Sequence, residues 1–406
     1  MTRDKLLLAI SLLSKIGTGM VSLFVLARGL GPADYGFVAT VFAYASIAAL
    51  FTDFGFSVQA LRDIGAQPDK AGELIAACVR VKNLLVLVVT LGAALVLSLL
   101  NLGPHLLAAS LLLYGSIMVN SYGDLVVVAL RGIGKYAAET VSSILGTVVF
   151  VIVVGGTALA WPDILPIATA LFVARLLQTA IAFLVVSRYT QLGNCIHGPL
   201  LDLLRFMRTS SGLALDSFLT TVSAQVDVAI VSAMLGLRAA GLYQVGSRIG
   251  GYLLMPSQIL AGVSLPKLSA EYRSKLPAAI DTARRLSLEM AAAGILLGTV
   301  LVVASPLIPV LLGSEFALTW TMWAGFGAFV GLRYIAAAFG IILVAQKRVF
   351  ARLVGQLVTL VVLGASLPVS LLLGGVEAAP WAMAIAAATS ALVYGLQLLT
   401  PHKERE

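Results

Sequence analysis

Apolar residues in this chain come in long runs, separated by short polar turns rather than spread at helical or strand spacing. A helix needs about 20 mostly apolar residues to cross roughly 30 Å of hydrocarbon. Twelve runs meet that length: 5–27, 36–60, 74–100, 106–130, 137–159, 165–187, 212–235, 242–265, 286–305, 316–344, 353–374 and 378–399. They are too long for strands, and no alternating pattern recurs, so a barrel is excluded. Alternate connections are turns such as Gly29-Leu-Gly-Pro-Ala-Asp34 and Trp161-Pro-Asp163. The pattern predicts an all-α polytopic membrane protein of about twelve transmembrane helices.

Composition supports that reading. Sixty per cent of the 406 residues are hydrophobic and 11% are charged, against about 25% charged in soluble domains. The first apolar run carries Lys15 near its middle and continues to Ala27. It therefore reads as a first span and not as a cleaved signal.

Charge sets the orientation. The net charge of +8 would suggest nucleic acid in a soluble protein. Here the basic residues concentrate in alternate connections. With both termini inside, those segments hold nineteen Lys and Arg, against Arg28 and Arg238 outside. That asymmetry predicts an even number of spans with both termini cytoplasmic, and no nucleic-acid partner.

A weak repeat divides the chain. Leu30-Gly-Pro-Ala-Asp-Tyr-Gly-Phe37 follows the first span, and Leu235-Gly-Leu-Arg-Ala-Ala-Gly-Leu242 follows the seventh. Both read Leu-Gly-x-x-x-x-Gly-apolar, at an offset of 205, close to half of the 406 residues. A duplicated six-helix unit accounts for the coincidence of offset, topology and loop position. The expected organisation is a six-helix lobe at 1–187, a cytoplasmic linker at 188–211 and a second six-helix lobe at 212–406.

At these loops the sequence resembles the polysaccharide-flippase family, the O-antigen and teichoic-acid exporters of the multidrug/oligosaccharidyl-lipid/polysaccharide superfamily. The matches run in order. They are Leu30-Gly-Pro-Ala-Asp-Tyr-Gly36, Asp53-Phe-Gly-Phe-Ser57, Leu130-Arg-Gly-Ile-Gly-Lys-Tyr136, Val226-Asp-Val-Ala-Ile230 and Ala240-Gly-Leu-Tyr-Gln-Val-Gly-Ser-Arg-Ile249, then Pro256 and Pro266-Lys-Leu-Ser269. The resemblance implies a two-lobed fold like that of the superfamily's drug exporters. It implies flipping of lipid-linked oligosaccharide by alternating access in a bacterial inner membrane. The partners it implies are the bilayer, the lipid-linked substrate and the polysaccharide polymerase or ligase machinery.

Ionisable residues inside spans default to functional candidates. The basic ones are Lys15, Arg175, Arg248 and Arg333, and the acidic ones are Asp53, Asp124, Asp216 and Asp227. Four cations suit an anionic cargo such as a pyrophosphate, because guanidinium presents a planar fork to phosphate oxygens. The competing expectation is that acids and bases pair between helices. Asp216 and Asp227 lie three turns apart on one face, which suggests either coupling to H+ or Na+ or pairing with interior cations. Lys82, Arg80 and Glu289 sit near span ends and are expected to snorkel.

No metal or cofactor is expected. His105, His197 and His402 lack ligand spacing, and Cys78 and Cys195 fall on the reducing side. The outer loops are short and carry no nucleophile–base constellation, which argues against a membrane glycan ligase or polymerase. An ion-coupled drug or metabolite exporter of the same architecture remains the main alternative.

Overall fold

The computed structural model describes residues 3–100, 102–191, 218–274 and 276–400. The 188–211 linker and Asp216 lie largely or wholly outside these residues. Every element among the described residues is helical: α1 (Arg3–Asp53), α2 (Phe56–Ala66), α3 (Ala71–Leu99), α4 (Pro104–Gly132), α5 (Tyr136–Ala160), α6 (Ile164–Ser187), α7 (Val226–Leu235), α8 (Leu237–Leu253), α9 (Met255–Ser274), α10 (Leu276–Ala304), α11 (Leu307–Leu312), α12 (Trp320–Ala345) and α13 (Val349–Leu399), with two single 3₁₀ turns. Nine helical stretches among them are long and apolar enough to cross a membrane.

Several predicted spans coincide with one helix each, notably α3 to α6. Others are joined or broken in ways that the backbone explains. α1 covers the first two predicted spans, with its break at Gly31 (φ 71°, ψ 174°) and Pro32 opening the second limb. Proline fits there because the first helical N–H has no partner to lose. The predicted 36–60 span does not run straight. It ends at Asp53, turns at Phe54 (φ 39°) and Gly55 (φ 76°), and restarts as α2. α13 likewise covers the last two predicted spans, with its break at Gly374 and Gly375 (φ 60°). The predicted 242–265 span is divided between α8 and α9 at Leu254, two residues before Pro256.

The chain divides into two compact units, one of Met1–Leu30 with Phe37–Thr221 and the other of Gly31–Gly36 with Val222–Glu406. In the first unit α2 folds back against α4. Phe56, Ala60 and Ile64 pack there with Ile75, Cys78, Leu125, Leu130 and Val186 in a closed apolar core. Outward-facing positions stay apolar as well: Leu87, Leu91 and Leu95 of α3 stand exposed. That is expected of a surface whose solvent is hydrocarbon.

The motif Leu130–Tyr136 forms a clasp at the α4–α5 turn. Gly134 takes φ 73°, and Arg131 donates Nη2 and Nε to the Glu139 carboxylate, which is 1% exposed. Removing one partner of a buried pair strands the other. Arg131→Ala is expected to cost about 3 kcal/mol of stability, read as a lower unfolding temperature of the purified protein in detergent. An unchanged melt would show that the clasp contributes nothing.

In the second unit the repeated turns meet. Gly31 and Gly236 have nearly the same backbone conformation (φ 71°, ψ 174° and φ 83°, ψ 178°). This region is essentially open to glycine alone. The second glycine of each motif sits against the other motif's backbone. A Cβ on Gly36 would lie 1.8 Å from the Leu237 carbonyl oxygen, and one on Gly241 would lie 2.0 Å from the Pro32 carbonyl oxygen. Leu237 and Pro32 are themselves separated by the repeat offset, so the contact is reciprocal. α10 and α12 approach in a similar way, Gly298 against Gly327.

Candidate functional site

The first unit carries a polar interior built on α1, α4, α5 and α6. Small residues let these helices close in. A Cβ on Gly123 would come within 2.9 Å of Thr179 Oγ1, and the Thr179 hydroxyl donates to the Val119 carbonyl at 3.0 Å. On α1 and α5, Ser14 and Thr18 each share a hydrogen bond with Thr147 at 2.8 Å.

Arg175 is the centre of this region. Its Nη1 donates to Asn120 Oδ1 at 3.0 Å and to Gln178 Oε1 at 2.7 Å. The guanidinium lies 4.7 Å from the Phe150 ring centre. Asn120 in turn donates Nδ2 to Asp124 Oδ2 at 2.8 Å. A small cleft of about 40 Å³ is lined by Asn120, Asp124, Ser142, Ser143, Gln178 and Thr179, among others. Asp124 is not enclosed as an interior acid: its side chain is exposed. A charge at the centre of a lipid-facing helix costs about 2.5–3.5 kcal/mol, so its exposed side belongs to water.

Asp53 has a partner that the spacing along the chain did not reveal. Lys82 Nζ donates to Asp53 Oδ1 at 2.9 Å and to the Ser121 carbonyl at 3.1 Å, and lies 5.4 Å from the Tyr122 ring centre. The Lys82 side chain is wholly buried. The expectation that Lys82 snorkels to an interface is therefore wrong. Position 82 falls in the buried first half of α3, against Asp53 at the end of α1 and the face of α4 at Ser121 and Tyr122. Glu289, by contrast, pairs with Arg285 one turn earlier on an exposed face.

The second unit holds Asp227, Arg248 and Arg333. Asp227, near the start of α7, is 1% exposed. It accepts from Tyr243 Oη at 2.8 Å, from Ser247 Oγ at 3.4 Å and from the Val228 N–H at 2.8 Å. Arg248 is within electrostatic reach of Asp227 and Tyr35. With the Gln244 amide oriented to suit it, the amide oxygen accepts from Arg248 Nη2 at 3.2 Å and Nε at 2.6 Å. These contacts are those of an internally satisfied polar cluster.

Arg333 differs. It is partly buried midway along α12, and no carboxylate lies within ion-pair distance of it among the described residues. The groups that act on it electrostatically are the Tyr394 hydroxyl and the like-charged Arg352, both on α13. Arg352 also has no carboxylate within that distance among the described residues.

Of the eight charges singled out from sequence, the structure places Asp124 with Arg175 in one polar region, and Asp227 with Arg248 in another. Asp53 joins Lys82 instead, and Arg333 stands with Arg352. Lys15 lies in α1 but its side chain is outside the described residues, as is Asp216. Sequence reasoning missed Lys82, Arg352 and the amides Asn120 and Gln178. The amides carried a signal: Asn120/Asp124 and Arg175/Gln178/Thr179 recur at one-turn spacing inside apolar spans.

A family model described as polysaccharide biosynthesis protein matches residues 1–270. No curated protein matches the sequence. Among solved structures, a multidrug resistance MATE family transporter of the MOP superfamily in an inward-facing conformation aligns with TM-score 0.75 at 13% identity, over 94% of this chain and 93% of that one. The lipid II flippase MurJ in an inward closed conformation aligns with TM-score 0.71 at 12% identity, over 97% and 88%. An outward-facing MATE family transporter gives 0.64 at 16% identity, over 97% and 94%. At these identities the likeness establishes the fold: a polytopic all-α membrane protein of the MATE and MurJ architecture.

Proposed function

This chain belongs to the polysaccharide biosynthesis protein family, and we propose that it is a flippase for lipid-linked oligosaccharide. It moves a polyprenyl-pyrophosphate glycan from the cytoplasmic to the outer leaflet of a bacterial inner membrane, by alternating access, for cell-surface polysaccharide assembly. The family supports that reading over a drug exporter, and the fold is one that a lipid II flippase and multidrug transporters both have.

The observation that carries the choice of cargo is Arg333, a partly buried cation midway along α12 with no carboxylate within ion-pair distance among the described residues. Arg352 on α13 acts on it as a like charge, and no carboxylate among the described residues lies within ion-pair distance of either. Such a spot attracts an anion with several oxygens, and guanidinium groups meet phosphate oxygens in bidentate fashion. Arg248 sits in the same unit but is already engaged by Gln244. Lys15 belongs to the other unit and its side chain lies outside the described residues, so it is given no part here. Arg175 is set apart from these cations, because its Nη1 donates to two amide oxygens and its guanidinium lies against the Phe150 ring. Asp53 and Asp227 have the contacts of internal pairs, so no coupling ion is placed on them.

Deletion of the gene is expected to leave lipid-linked oligosaccharide on the inner leaflet. Complementation with Arg333→Gln or Arg352→Gln is expected to lower export several-fold, and the double variant about tenfold or more, at unchanged membrane levels. Wild-type export by the double variant would refute the phosphate assignment. Efflux of cationic drugs by the wild-type chain, with glycan export normal in the deletion strain, would favour the exporter.

A further inference from the structure

The turn between α12 and α13 closes as the α4–α5 turn does, but with a different residue at its tightest point. At the first of these turns, the Lys135 N–H donates to the Leu130 carbonyl at 2.8 Å and the Gly134 N–H to the Arg131 carbonyl at 3.1 Å. At the second, the Arg348 N–H donates to the Leu343 carbonyl at 2.8 Å and the Lys347 N–H to the Val344 carbonyl at 2.9 Å. This pair of backbone bonds ends a helix through one left-handed residue, usually glycine. Gly134 supplies it at φ 73°, and Lys347 supplies it at φ 62°. Glycine takes that conformation freely, whereas a residue with a Cβ is strained there. The turn itself therefore does not account for the lysine.

The charges around it are also unlike those of the other basic connections. Arg62 pairs with Asp63, Arg131 with Glu139, Lys267 with Glu271 and Arg285 with Glu289. No Asp or Glu occurs between Glu315 and Glu377, a stretch that carries Arg333, Lys347, Arg348 and Arg352. Among the described residues, no carboxylate lies within ion-pair distance of Lys347 or Arg348. Topology responds to Lys and Arg and little to acids, so it explains the cations but not the missing acids. Arg348 is held in place: Nη2 donates to Thr400 Oγ1 at 2.9 Å and Nη1 to the Thr400 carbonyl at 3.3 Å. That brings the two ends of α13 to one level. Phe350 and Leu399 stand beside the cations there, 78% and 82% exposed. Cations bordered by exposed apolar side chains match an anionic headgroup above its own acyl chains.

We propose that Lys347 and Arg348 form a site for an anionic phospholipid, its phosphate between the two cations and its acyl chains against Phe350 and Leu399. The lipid comes from the leaflet at this face, which the loop charges assign to the cytoplasm. Charge complementarity selects this occupant, because a zwitterionic headgroup brings an ammonium that the unbalanced cations repel. Arg352, one turn further on, stays with Arg333 in the anion site described above. The lipid site does not depend on what the chain transports.

The full chain in detergent is titrated with phosphatidylglycerol and with phosphatidylcholine of the same acyl chains, and the lipid retained is counted by native mass spectrometry. Each cation at a membrane surface favours anionic lipid about fivefold, so wild type is expected to prefer phosphatidylglycerol about thirtyfold. Lys347→Gly is expected to lose about fivefold of that preference while melting no lower than wild type, since glycine relieves the strained backbone. Arg348→Gln is expected to lose a similar factor, and the double variant to show no preference. The double variant is expected to bind bare polyprenyl pyrophosphate within about twofold of wild type. Equal binding of the two phospholipids by wild type overturns the proposal, and so does a preference that the double variant retains. A loss of polyprenyl pyrophosphate binding as large as that of phosphatidylglycerol makes the turn part of the cargo's route, which also overturns it. If wild type lacks the preference and Glu404→Gln with Glu406→Gln confers it, the chain's own terminal acids cover the turn and the lipid assignment fails.

Discussion

Asp53→Asn is expected to destabilise the protein more than Lys82→Met, although both remove the same ion pair. The reason lies in burial. The Lys82 side chain is fully enclosed, while that of Asp53 is 31% exposed and also accepts from Ser57 at 3.2 Å. Neutralising Asp53 leaves an ammonium inside the bundle with only the Ser121 carbonyl and the Tyr122 ring for company. Breaking a buried pair from that side costs about 3–5 kcal/mol. Lys82→Met removes the buried charge altogether and leaves a carboxylate that water still reaches, so the cost is smaller. The double variant is expected to be more stable than Asp53→Asn alone, which additive effects would not give. Thermal unfolding of the four proteins in detergent provides the measurement. A reversed order of the single variants would show that Asp53, not Lys82, is the less hydrated partner.

The second large effect is expected at the reciprocal glycine contact. Gly36→Ala places a methyl group 1.8 Å from the Leu237 carbonyl oxygen, and Gly241→Ala places one 2.0 Å from that of Pro32. Both obstacles are backbone, so no rotamer change relieves them. The two turns must move apart by more than 1 Å, on the scale of van der Waals contact distances. Overpacking of this kind costs typically about 1–3 kcal/mol, and each variant is expected to melt several degrees lower. Gly92→Ala is the control, since nothing lies within 4 Å of its added methyl group. In the interior of α3 it is expected to be neutral or mildly stabilising. If Gly36→Ala melted with wild type, the close approach would not exist in solution.

The repeat shows what could be read directly from the chain. Leu-Gly-x-x-x-x-Gly recurs because its two glycines meet two backbone requirements, a positive φ at Gly31 and Gly236 and a close approach at Gly36 and Gly241. Both requirements exclude other residue types, so they leave a mark in sequence. Asp53 and Lys82 left no such mark. They are 29 positions apart, on elements joined through a turn at Phe54 and Gly55 that the apolar run between 36 and 60 conceals. The same run length that announced a span hid the break within it.

By itself, the sequence determined that this protein is made of membrane helices, roughly where they begin and end, and that two of their turns are copies of one design. Those features follow from local rules: apolar length against bilayer thickness, and glycine where no other backbone fits. The tertiary structure alone decided which buried charges are spent and which are available. A helix that is apolar all round carries no stripe to show which way a lone Arg or Lys points. Only the packing of α3 against α4 and the end of α1 shows that Lys82 is a buried tie. The amides beside Arg175 engage its Nη1, and Arg333 is left with no carboxylate within ion-pair distance among the described residues.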